Sequence, residues 1–106
     1  MISDEDVEKA LDYLRDSAQE YAQSRSAEKF YEGKLKRIEA MQFMEQTTGA
    51  VEAKRLAARA SDEYGECLED YKDAKYNAEL LSAYREAAKM KVSWAQTERK
   101  ASIGAY

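Results

Sequence analysis

From Tyr64 to Ala95 an apolar or small residue returns every third or fourth position (Tyr64, Leu68, Tyr71, Ala74, Ala78, Leu81, Arg85, Ala88, Val92, Ala95), interrupted only by the arginine. Heptad phase held for more than four repeats is the seam of a helix packed along its length on another helix. The rest of the chain permits long helices. Proline is absent, and glycine occurs only at 33, 49, 65 and 104, so little stands in the way of helix propagation. With 106 residues, 36% of them charged, the expectation is one all-α domain spanning 1–106.

The N-terminal half supplies the packing partner. Ser3 precedes Asp4, Glu5 and Asp6, a cap followed by carboxylates that favour the exposed N–H groups of a helix start. Val7, Leu11, Leu14, Ala18 and Tyr21 then alternate spacings of four and three, and after a polar stretch the line resumes as Tyr31, Leu35 and Ile38. The spacing predicts a first helix over about 4–46. Thr47, Thr48 and Gly49 break it, and "AVEAKRLAARA" predicts a short connecting helix over about 50–60. Ser61, followed by Asp62 and Glu63, caps a third helix over about 62–100, unless the short helix runs into it with only a bend. The final "SIGAY" is expected to fray. The first and third helices pair most economically as a long, elongated antiparallel hairpin of coiled-coil type. Charge favours that orientation: the acidic segment 1–20 would lie beside the basic segment 85–106, and the basic segment 25–37 beside Asp62, Glu63, Glu66, Glu69, Asp70 and Asp73.

The third helix carries a second stripe. Tyr76, Leu80, Ala83, Ala87, Met90 and Trp94 repeat the four-three spacing two positions away from the first series. Two residues are about 200° at 100° per residue, so the stripes lie on nearly opposite sides, whereas an ordinary surface helix has one. One neighbour cannot cover both. These six residues are therefore the expected interface of a homo-oligomer, a dimer for preference, or of another protein partner; the alternative is that they form intramolecular core.

Chemistry is sparse. Histidine is absent, which removes the commonest general base and metal ligand. Cys67, the single cysteine, has no histidine to activate it and adjoins the seam, so it reads as a buried structural thiol. The carboxylates from Asp62 to Asp73 read as a solvated helix start, since calcium needs a loop that gathers six to eight oxygens. No phosphate loop, serine elbow or zinc pattern occurs. The reading is a non-enzyme with no cofactor and no metal. Lys54, Arg55 and Arg59 could form one basic patch and offer contact to nucleic acid, against an acidic formal net charge of -4. No apolar run is long enough for a bilayer and the N-terminus lacks a signal-like segment, so a cytoplasmic protein without membrane contact is expected.

The segment "ASDEYGECLEDYKDAKYNAELLSAYREAAKMKVSWAQTE" adds a resemblance. "ASDEY" at Ala60 to Tyr64, the aromatic spacing after it, "REAAKMKV" at Arg85 to Val92, and Trp94 before Gln96 and Thr97 resemble small helical proteins of tailed phages and prophages, often encoded near recombination and replication genes. The resemblance lies mainly in residues 50–101. It implies a phage accessory role, in the host cytoplasm, on a protein partner of the recombination or replication machinery, and assigns no catalytic residue. Accessory DNA binding or a virion assembly and scaffold role are the alternatives.

Overall fold

The computed structural model describes residues 1–104. The chain is an all-α antiparallel helical hairpin with a short connecting helix. Its elements are α1 (Asp4–Asp16), α2 (Ala18–Glu45), α3 (Val51–Arg59) and α4 (Asp62–Gly104). Packing divides it into two compact units, one of residues 1–22 with 79–106 and the other of residues 23–78.

Helix starts follow the caps in the sequence. The Ser3 hydroxyl accepts the Asp6 N–H at 3.1 Å, and the Ser61 hydroxyl accepts the Tyr64 N–H at 3.2 Å. Each satisfies one of the donors that a first helical turn leaves free. The break between α2 and α3 turns on Gly49, whose φ of 111° is open to glycine and strained for other residues. At the C-terminus nothing stops α4 at Lys100, and it continues to Gly104 rather than fraying; of the expected frayed tail, Ala105 and Tyr106 lie outside the described residues.

The predicted first helix is two helices. The two are parted at Ser17, whose φ of -89° and ψ of -4° keep a right-handed turn while its N–H still donates to the Tyr13 carbonyl and its carbonyl accepts the Tyr21 N–H, each at 2.9 Å. Arg85 of α4 explains the site. Its Nη1 donates to the Leu14 carbonyl and to the Ser17 hydroxyl, both at 2.7 Å, and its guanidinium lies 5.1 Å from the Tyr21 ring centroid. A cation on the inside of a helix pair needs such acceptors, and the interrupted turn brings backbone and hydroxyl oxygen together for it.

In the first unit α1 runs antiparallel to the end of α4. The Ile2 N–H donates to Glu98 at 3.1 Å and Arg99 pairs with Asp4, while Arg85 reaches Leu14 and Ser17. The buried residues are small: Ala10, Ser17, Ala88 and Ala95. Leu11, expected inside, is half exposed, and Ala18 is exposed. The inner line is thus Val7, Ala10 and Leu14 of α1, then Ser17 and, in the first turn of α2, Tyr21, with the small side chain of Ala10 set beside Ala88.

The second unit has the larger core. Leu35 and Ile38 of α2 pack with Cys67 of α4, and Tyr31, Tyr64, Leu68 and Tyr71 cover them. The thiol of Cys67 is a weak donor 3.9 Å from the Tyr31 carbonyl. Here too the order is antiparallel, with Tyr31 beside Cys67 and Gln42 bonded to Glu63. The charge pairing expected between 25–37 and 62–73 does not take the form of ion pairs. Among the described residues Arg25 pairs with Glu28 and Lys36 with Glu32, within α2 itself. Neighbours one turn away on the same helix meet with less loss of side-chain freedom than partners across the unit.

Candidate protein-interaction surface

In the first unit α4 presents its inner line, Leu81, Arg85, Ala88, Val92 and Ala95, to α1. The second stripe then falls on the outside, as a displacement of about 200° requires. Leu80 is 39% exposed, Met90 58% and Trp94 62%, and Ala83 and Ala87 are exposed between them. Tyr76, the sixth residue of the stripe, belongs to the other unit and is 65% exposed.

Three apolar residues enlarge this face. Tyr84 is exposed beside Ala87 and, with Tyr13 of α1, lines an open groove of about 450 Å³ whose rim carries Asp6, Lys9 and Lys91. A shallower depression of about 240 Å³ is lined by Ile2, Ala87, Met90, Lys91 and Trp94. Ala87 and Lys91 line both, so the two adjoin across these side chains. The signals for Tyr84 and Ile2 were present in the sequence. Tyr84 stands four residues after Leu80, and Ile2 immediately precedes a helix cap, where apolar residues commonly pack back on the helix. Tyr13 has no such signal, since it lies beside rather than on the apolar line of α1.

The face is chemically simple. Aliphatic, thioether and aromatic surface is bordered by side chains of both signs, among them Asp6, Lys9, Glu86 and Lys91, which suits desolvating contact with another apolar helix face. Elsewhere, the only cysteine is buried in the tyrosine-covered core. Among the described residues no three acidic or thiol side chains gather as a metal site, and no helix is long and apolar enough to cross a membrane.

The basic residues of α3 are differently placed. Arg55 and Arg59 both reach the half-buried Glu39 of α2, at 4.0 and 3.3 Å, and Arg55 also meets Glu52 at 3.8 Å. Lys54 lies 5.7 Å from the Phe43 ring centroid. Two of the three cations thus hold α3 against α2, with a carboxylate between them.

No protein family, curated protein or solved structure matches the chain.

Proposed function

We propose that this protein is a non-catalytic helical interaction protein that associates with a second copy of itself through the outer face of α4. The observation that carries the proposal is the row Leu80, Ala83, Ala87, Met90 and Trp94, apolar and exposed on one side of one helix. Contiguous apolar surface of that kind is uncommon on monomers outside binding sites. A rigid helix bearing large side chains at intervals of three and four is also the arrangement that coiled-coil partners recognise. The resemblance to phage helical proteins extends the proposal to an accessory role in the host cytoplasm, with the self-associated form docking on a protein of the recombination or replication machinery.

Light scattering coupled to size exclusion tests the association. Wild type is expected at twice the chain mass of 12.1 kDa, and Leu80→Glu with Met90→Glu at the single-chain mass with unchanged helical circular dichroism. A wild-type protein that runs as one chain at high micromolar concentration refutes it. The DNA-binding alternative is not favoured, because Glu39 lies between two of the three basic side chains it would use.

A further inference from the structure

The outer face of α4 also fixes how a second copy would lie on it. This step rests on the self-association proposed above and adds its direction and register. Written as a heptad, the face has Leu80, Ala87 and Trp94 in one core position and Ala83, Met90 and Thr97 in the other, flanked by Glu79, Glu86 and Ser93 on one edge and by Tyr84, Lys91 and Glu98 on the other. Large and small side chains alternate unevenly along it, and the flanking charges are few. Few pairings satisfy both.

A parallel, in-register pair sets every residue against its own copy. Ala83 and Ala87 then make two thin layers directly followed by thick layers of Met90 and Trp94, which two helices at a steady separation cannot fill. An antiparallel pair with Ala83 opposite Ala87 repeats the fault, putting Leu80 against Met90, and brings Glu86 against its own copy. Shifting by a heptad toward the N-terminus sets Glu79 against Glu86 and leaves Trp94 uncovered. Shifting by two heptads the other way sets Met90 against Trp94 and Lys91 against Lys91.

One register remains. We infer that two copies pack α4 against α4 antiparallel, with Ala87 of each opposite Met90 of the other and Ala83 opposite Trp94. Every large core residue then faces a small one, including Leu80 on Thr97. On the edges Glu79 comes beside Lys100, and Tyr84 beside Lys91, an ammonium able to sit on the ring face. Among the described residues none of Glu79, Lys91 and Lys100 takes part in an ion pair within its own chain. All of these residues lie in the first unit.

Disulfide trapping reads the register directly. Full-length chains carrying Ala87→Cys and Met90→Cys, one of them size-tagged, are mixed and oxidised; wild type, whose Cys67 is buried, is the control. The expected product is the mixed 87–90 disulfide in excess over both symmetric ones, because Cα atoms more than about 7 Å apart cannot be bridged. A predominant 87–87 disulfide, or efficient trapping of Ala83→Cys with Ala87→Cys instead, overturns the inference while leaving self-association standing. A wild-type monomer overturns both. Charge exchange gives an independent reading by sedimentation equilibrium. Glu79→Lys and Lys100→Glu are each expected to raise the dissociation constant about five-fold, in the range of an exposed pair turned repulsive. The double exchange is expected to restore it, and failure to restore it overturns the register.

Discussion

Arg85 is the sharpest place to test how the first unit is held. Its Nη1 makes two bonds of 2.7 Å, to the Leu14 carbonyl and the Ser17 hydroxyl, while its Nε is buried with no partner. Bonds to a charged donor contribute about 1.5–3 kcal/mol each, and an unpartnered buried polar atom costs about 1–3 kcal/mol. Two such bonds less that cost leave a net contribution of about 0–5 kcal/mol, with a midpoint of about 2.5 kcal/mol. Arg85→Met keeps most of the volume and removes the donors, leaving the Ser17 hydroxyl to turn back on its own helix, so a loss of about 1–2 kcal/mol is expected. Ser17→Ala removes one acceptor but restores a better helix former at the break, and a loss under about 1 kcal/mol is expected. The double variant has no stranded hydroxyl and no partly desolvated cation, and an apolar replacement of a buried polar set is often close to neutral. Urea denaturation followed by circular dichroism should show the double variant about 1 kcal/mol more stable than the sum of the singles predicts. Single effects that add within about 0.3 kcal/mol would show that Arg85 and Ser17 do not act as a pair.

Two further outcomes follow from local geometry. Gly33 in α2 and Gly65 in α4 are exposed, and a Cβ at either meets nothing within 4 Å. Alanine at each should stabilise by up to about 1 kcal/mol and raise the melting temperature by several degrees, while Gly49→Ala, at its positive φ, should lower it; a neutral Gly33→Ala in thermal melts would contradict the helical reading of that turn. Cys67 is 2% exposed in the tyrosine-covered core, so Ellman's reagent should label it only at the rate of unfolding, and fast labelling of native protein would refute that packing.

How far the sequence discloses this structure depends on which residue carries the packing. The line of α4 was legible from Tyr64 to Ala95 because large residues recur in it often enough to fix the phase. Ser3, Ser61 and the break at Thr47 to Gly49 were legible because caps and positive φ have few chemical solutions. The line of α1 was half legible. Choosing the greasier of two neighbours puts Leu11 and Ala18 inside, whereas the helices meet through Ala10 and Ser17. Size outranks hydropathy where two helices come close, and a serine is wanted where an arginine must be satisfied. The interruption at Ser17 could not be read locally, since its cause lies 68 residues away in Arg85. The outer stripe was legible in position because α1 has only one face to offer, and Ile2, Tyr13 and Tyr84 extend it for reasons of proximity that spacing in α4 alone does not contain.

The small residues that let α1 and α4 approach also limit what the first unit buries. Among the described residues its buried ones are three alanines and a serine, while Leu80, Tyr84, Met90 and Trp94 are exposed. Alanine contributes little transfer free energy next to those side chains, for which full burial is worth about 1.5–3 kcal/mol in an aliphatic or thioether case. On the proposed pairing, much of the apolar surface that stabilises this unit is covered only between copies, so folding and association are coupled. Stability should then depend on protein concentration. Above the dissociation constant, a 100-fold increase adds about 2.7 kcal/mol per dimer by mass action, or about 1.4 kcal/mol per chain, which at about 4–8 °C per kcal/mol for a domain of this size is a rise in melting temperature of about 5–11 °C. Calorimetry across that concentration range reads it directly. The dependence should vanish in Leu80→Glu with Met90→Glu, whose melting temperature should match that of dilute wild type. A wild-type melting temperature constant to within a degree would mean that α1 and α4 are stable without the second copy, and that the outer face of α4 contributes nothing to folding.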